Sequence, residues 1–71
     1  MVIVSQGKGI ICNWDNATDV YVKGTIVTLT DVCGEKCLLG LYESEERAKA
    51  VLDKLINAIG LNMYMYQMPK K

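Results

Sequence analysis

Ser44-Glu45-Glu46-Arg47-Ala48-Lys49-Ala50-Val51-Leu52-Asp53-Lys54-Leu55-Ile56-Asn57-Ala58-Ile59-Gly60 is the stretch that decides the fold class. Ala48, Val51, Leu52, Leu55, Ile56 and Ile59 recur at steps of three and four, so they share one stripe of an α-helix. Ser44 precedes the stripe as an N-cap, where its hydroxyl can accept from the free amides of the first turn. Glu45 and Glu46 follow where the helix dipole favours negative charge, and Glu45 stands four residues before Lys49. Gly60 is expected to close the helix in the left-handed conformation. A single amphipathic helix needs an apolar surface to lie on, and the remaining residues must supply it.

Working outward, the segments before the helix read as strands. Val2-Ile3-Val4 is a β-branched run ended by the turn-forming Gln6-Gly7-Lys8-Gly9, and Ile10–Trp14 is the return strand. Asp15-Asn16-Ala17 interrupts the pattern, because Asx side chains bond to nearby backbone. In Asp19–Lys23, Val20 and Val22 share one face and Tyr21 takes the other. Lys23-Gly24 turns the chain into Thr25–Thr30, which is rich in β-formers. Asp31–Gly34 turns it again into Lys36–Tyr42, with Gly40 at a bulge position. After the helix, Leu61–Met68 alternates methionine with tyrosine, with Tyr64 and Tyr66 on one side and Leu61, Met63 and Met65 on the other. The expected fold is α+β. It comprises an antiparallel meander of five strands, one amphipathic helix on one face, and a C-terminal edge strand, all within one small domain over residues 1–71.

Composition narrows the partners. Hydrophobic residues make up 51% of the chain, and both faces of several strands are apolar: Ile10 with Ile11, Ile26 with Val27, Leu38 with Leu39. One helix covers one face, so the other must close on itself or meet a second copy, and a homo-oligomer is expected. Eight basic residues balance eight acidic ones, which argues against nucleic acid as a partner. No run approaches the length of a membrane span, and Met1–Gln6 has no basic leader, so a cytoplasmic protein with reduced thiols is expected.

The chemistry-bearing residues are few. There is no histidine, and no nucleophile stands beside a base in a catalytic motif, so a non-enzymatic role is expected, without a cofactor. Cys33 and Cys37, with Cys12, resemble part of a zinc site, but a fourth nitrogen or sulfur ligand is missing, and thiols packed as small hydrophobes are the favoured reading over a metal. Gly7-Lys8-Gly9 lies between two strands and lacks the strand-to-helix setting of a phosphate loop. Trp14, Tyr21, Tyr42, Tyr64 and Tyr66 are the aromatic residues. Each can stack a ligand or a partner, or simply cap the edge of the core with its polar tip in water. Trp14-Asp15-Asn16 could offer a stacking plane with acceptors, but an ordinary Asx-turn is the favoured reading. Arg47, the sole arginine, could hold a phosphate near the helix start, but its glutamate neighbours make surface pairing with a carboxylate the favoured role. The candidate binding residues are therefore Trp14, Asp15, Asn16, Tyr21, Tyr42, Arg47, Tyr64 and Tyr66.

Ile3-Val4-Ser5-Gln6, then Glu46-Arg47-Ala48-Lys49 with Val51-Leu52, then Tyr66-Gln67-Met68-Pro69 together resemble a family of short proteins found mainly in Firmicutes and their phages, without an assigned function. The likeness spans most of the chain, and its motifs are structural. Cys12, Cys33, Cys37 and Trp14 stand outside the pattern. The resemblance implies a phage or prophage setting, in which small non-enzymatic proteins often counter host defence. Three functions follow as expectations. The first is an oligomer that sequesters a small nucleotide-type signal, with Tyr and Trp stacking the base and Arg47 or lysines near phosphate. The second is an inhibitor or adaptor that binds a host protein through a sheet edge or the Tyr/Met segment. The third is a structural module.

Overall fold

The computed structural model describes all residues from Met1 to Lys71. Strands β1 (Val2–Val4), β2 (Ile11–Asn13), β3 (Ala17–Lys23), β4 (Ile26–Asp31) and β5 (Lys36–Leu41) precede helix α1 (Glu45–Gly60), and β6 (Met65–Gln67) follows it. The α+β class stands, but the five strands do not form one meander. They divide into two three-stranded sheets, ordered β2–β1–β6 and β3–β4–β5.

The division falls at Trp14–Asn16, which coil into a turn of 3-10 helix between β2 and β3. Asn13 starts it: its side-chain oxygen accepts from the Asp15 amide at 3.0 Å. The Asx-turn is therefore present, but Asn13 supplies the capping oxygen in place of Asp15 or Asn16. This turn carries the chain out of the first hairpin, so β3 pairs with β4 and leaves β2. The C-terminal strand is an edge strand, shorter than expected, and it runs parallel to β1 with Ile3 opposite Tyr66.

The β3–β4–β5 sheet is the local meander that strand propensity predicts. Gly24 (φ 63°) and Gly34 (φ 84°) supply the left-handed turns. Asp31 braces the second turn by accepting from the amides of Cys33 and Glu35 at 2.8 and 3.0 Å. A bulge lies opposite Val27/Thr28, where Val27 faces Gly40 but Thr28 faces Leu38, leaving Leu39 as the extra residue. Leu39 is fully buried.

Helix α1 lies across β3 and β4. Ser44 caps it as expected, accepting from the Arg47 amide at 3.1 Å, and Lys49 pairs with Glu45 at 3.2 Å. Ala48, Val51, Leu55 and Ala58 are the buried residues of the helix; Ile56 points outward, 55% exposed, at the margin of the stripe. The far end differs from expectation. Gly60 keeps a negative φ, and Asn62 (φ 55°) is the left-handed residue. The Asn62 amide donates to the Ile59 carbonyl and the Met63 amide to that of Ala58, which is a Schellman closure two residues later than the glycine suggested. Asn tolerates the left-handed region, and this register seals two orphan carbonyls.

Ile3, Cys12, Val27, Leu29, Leu39, Tyr42, Ala48, Val51, Leu55 and Met68 form one core shared by both sheets and the helix. The sheets are joined along β5 by Gln6. Its backbone amide donates to the Leu39 carbonyl at 2.7 Å. Its side-chain amide then imitates a strand residue, accepting from the Leu41 amide at 2.8 Å and donating to the Leu41 carbonyl at 2.9 Å. This partial closure leaves the outer face of β3–β4–β5 uncovered by any element.

Candidate functional site

The eight candidate residues fall in four places. Trp14, Asp15 and Tyr64 come together at one pole of the molecule. With Met1, Ile59, Asn62 and Met63 they line a depression of about 420 Å³. It is built by Met1 ahead of β1, the 3-10 turn after β2, the C-terminal end of α1, and the approach to β6. Tyr64 is 90% exposed, whereas Tyr66 packs against the core. They were expected to share a side; regular alternation begins only at Met65, where β6 starts.

Tyr42, Arg47 and Tyr66 form a second cluster, and it is committed to structure. The Tyr42 hydroxyl donates to the Pro69 carbonyl at 2.9 Å. Arg47 donates through Nε (2.9 Å) and a second guanidinium nitrogen to the Lys71 carbonyl. Arg47 is thus engaged by the C-terminal segment, and pairing with a neighbouring glutamate is not what the structure shows. Burial raises the hydroxyl pKa of Tyr42, Tyr66 beside it adds to the rise, and Arg47 opposes it; burial likewise raises Tyr66, again against Arg47. With two guanidinium donors and the Tyr42 hydroxyl engaged by residues 69–71, this cluster is a latch for the C-terminal segment.

Asn16 lines a small cavity of about 170 Å³ with Cys12, Cys37 and Asp31. The three cysteines have separate fates: Cys12 is buried, Cys37 half-buried and Cys33 exposed in its turn. Desolvation, then the hydrogen bond and charge of Cys37, then Asp31, push the Cys12 thiol up to about 11, so it stays protonated at neutral pH. Cys33 does not pack with the other two. No three His, Cys, Asp or Glu residues converge in a way that could hold a metal ion.

Tyr21 stands alone on the outer face of β3–β4–β5. Strand register places Tyr21, Thr28 and Leu38 in one row, with Lys23, Ile26 and Leu41 beside it, and Asp19, Thr30 and Lys36 on the far side. A depression of about 500 Å³ opens there, lined by Tyr21, Lys23, Ile26, Thr28, Lys36 and Leu38. Leu38 and Leu41 are 60% and 62% exposed. Sequence reading named Tyr21 but missed Lys23, Lys36 and Leu38. Alternation could have put Lys23 on the Tyr21 face, but the β5 residues reach it only through a register set by the bulge.

No helix of the molecule is long and apolar enough to cross a membrane. Comparison with known protein families, curated proteins and solved structures finds no match to this chain.

Proposed function

We propose that this chain is a non-enzymatic binding protein that sequesters a small nucleotide-type anion on the outer face of its β3–β4–β5 sheet. One observation carries the reading: an aromatic ring, an apolar floor and two lysines line the same depression, with no carboxylate among its lining residues. Tyr21 stacks a planar base, Ile26 and Leu38 support it, and Lys23 and Lys36 meet the phosphates. Thr28 stands between Tyr21 and Leu38 in the strand register. Arg47, tied to the C-terminal segment, takes no part.

Association of copies through the uncovered apolar face encloses the ligand and gives Leu38 and Leu41 a partner. In the phage setting implied by the sequence resemblance, removing a nucleotide signal blunts a host defence. Calorimetry with a panel of cyclic and linear nucleotides tests this. Binding should weaken at least about tenfold in Lys23→Glu/Lys36→Glu and in Tyr21→Ala, a loss of ~1.4 kcal/mol or more. No binding by the unaltered protein at high concentration ends the proposal. A second reading, a host-protein adaptor, is favoured by the unpaired outer edge of β6 beside Tyr64 and Met65. A monomer that retains a host protein on purification supports it.

A further inference from the structure

The fold brings the thiols of Cys12 and Cys37 together from distant parts of the sequence, and the proposed function does not use them. Cys12 is the central residue of β2 and belongs to the buried core. Cys37 is the second residue of β5 and packs half-buried against that core. The two strands lie in different sheets, so the pair bridges the junction between them. Both residues line the cavity of about 170 Å³, and their side chains are hydrogen-bonded to each other. Gln6 ties the sheets together at Leu39 and Leu41, and Cys37 stands toward the opposite end of β5. Both cysteines are free thiols, and no third ligand completes a metal set with them.

We propose that Cys12 and Cys37 are a redox switch: a hydroperoxide converts them to a reversible disulfide that staples the two sheets together. Cys37 is the reacting group, because it is half-buried at the cavity while Cys12 is buried. The Cys37 thiolate attacks a peroxide oxygen. An S–O bond forms, the O–O bond breaks, sulfur is oxidised to the sulfenic acid, and the peroxide is reduced to water with the thiol's proton. Cys12 sulfur then attacks Cys37 sulfur. The S–S bond forms, the S–O bond breaks, and hydroxide leaves as water with the Cys12 proton. Neighbouring sulfurs make this second step intramolecular, so it outruns attack by a further peroxide. A dithiol reductant returns two electrons and two protons and restores both thiols. Burial keeps Cys12 a poor thiolate and therefore a poor leaving group, so the bond persists until such a reductant arrives. While closed, it limits how far the small sheet can open away from the large one.

The full chain carrying Cys33→Ser isolates the pair, since Cys33 is exposed in its turn and the variant should fold. It is treated with stoichiometric hydrogen peroxide, quenched with catalase, unfolded and alkylated. The expected product is a monomer that has lost two hydrogens, resists alkylation, and yields a tryptic peptide pair joined through Cys12 and Cys37. Dithiothreitol should restore two alkylatable thiols. The oxidised protein should keep its circular dichroism and unfold at higher urea than the reduced one. Its amide exchange at Val2–Val4 should slow, and dithiothreitol should reverse both changes. Cys37→Ser, at a half-buried position, should give neither the link nor the rise in stability, whereas the Cys12→Ala chain should hold a Cys37 sulfenic acid that dimedone traps. Two alkylatable thiols after peroxide, links only between molecules, or an oxidised form no more resistant to urea than the reduced one overturns the proposal.

Discussion

The β3–β4–β5 sheet and the β2–β1–β6 sheet each have three strands, but they are assembled by different means. The first has strands of seven, six and six residues, joined in order by two tight glycine turns. The second has three strands of three residues, and its central pairing brings Val2–Val4 beside Met65–Gln67, from the two ends of the sequence. Local pairing costs little loop entropy, so the meander can organise early. Three-residue strands cannot hold themselves together. The small sheet depends on what surrounds it: Ile3 and Met68 in the shared core, Gln6 along β5, and the Gln67 side chain donating to the carbonyls of Ser5 and Met68 at 3.0 Å each. One sheet is written in its strands; the other is a product of docking.

The largest test of that contrast is Met68→Ala. Met68 is fully buried just past β6, and its loss should cost about 2–5 kcal/mol in urea unfolding. Hydrogen exchange should then rise at Val2–Val4 well before it rises at Val27–Leu29. Simultaneous exposure of both sheets would show that they form one cooperative unit and would erase the distinction. Gly40→Ala attacks the meander at its contact with the helix approach. A Cβ there would lie 2.7 Å from the Tyr42 ring, whose hydroxyl is tethered to Pro69, so a cost of ~1–3 kcal/mol is expected.

Gln6→Ala removes the amide that joins the two sheets. Its bonds are partly open to water, so the loss should be about 1 kcal/mol, with exchange quickened at Leu41. The smallest effect separates two helix closures. Gly60 has a negative φ and open space around its Cβ position, so Gly60→Ala should stabilise the protein by about 0.5–1 kcal/mol in thermal melts. A loss of similar size would restore Gly60 as the left-handed residue in place of Asn62.

Titration sharpens the contrast at the interface between the sheets, where Cys12 of β2 meets Cys37 of β5. The folded protein holds the Cys12 proton more tightly than the unfolded chain, with the pKa raised from 9.0 to about 11. Stability from this group is therefore whole below pH 9 and declines as the pH rises toward 11. Urea midpoints should fall over that window, and less steeply in Cys12→Ala. Thiol reagents should modify exposed Cys33 rapidly and Cys12 slowly.

Much of the candidate chemistry was legible as residue types, and little of it as arrangement. Trp14, Asp15 and Asn16 attract notice as adjacent residues, yet Asn16 lines a different cavity from the other two. Tyr64 and Tyr66 look equivalent in an alternating run, but only Tyr66 lies in β6 against the core. Arg47 looks free for an anion until the C-terminal segment folds over it. In each case the missing information is a contact between residues far apart in the chain.

The helix, its Ser44 cap, its buried stripe and the three long strands follow from the sequence itself, because periodicity, capping and glycine turns act over a few residues. So does the surplus of apolar side chains on the outer sheet face. The split into two sheets, the parallel pairing of β6 with β1, the Gln6 junction and the late closure at Asn62 were decided by tertiary structure. There a three-residue strand or a left-handed asparagine is held by packing and hydrogen bonds from distant segments, and no local preference announces it.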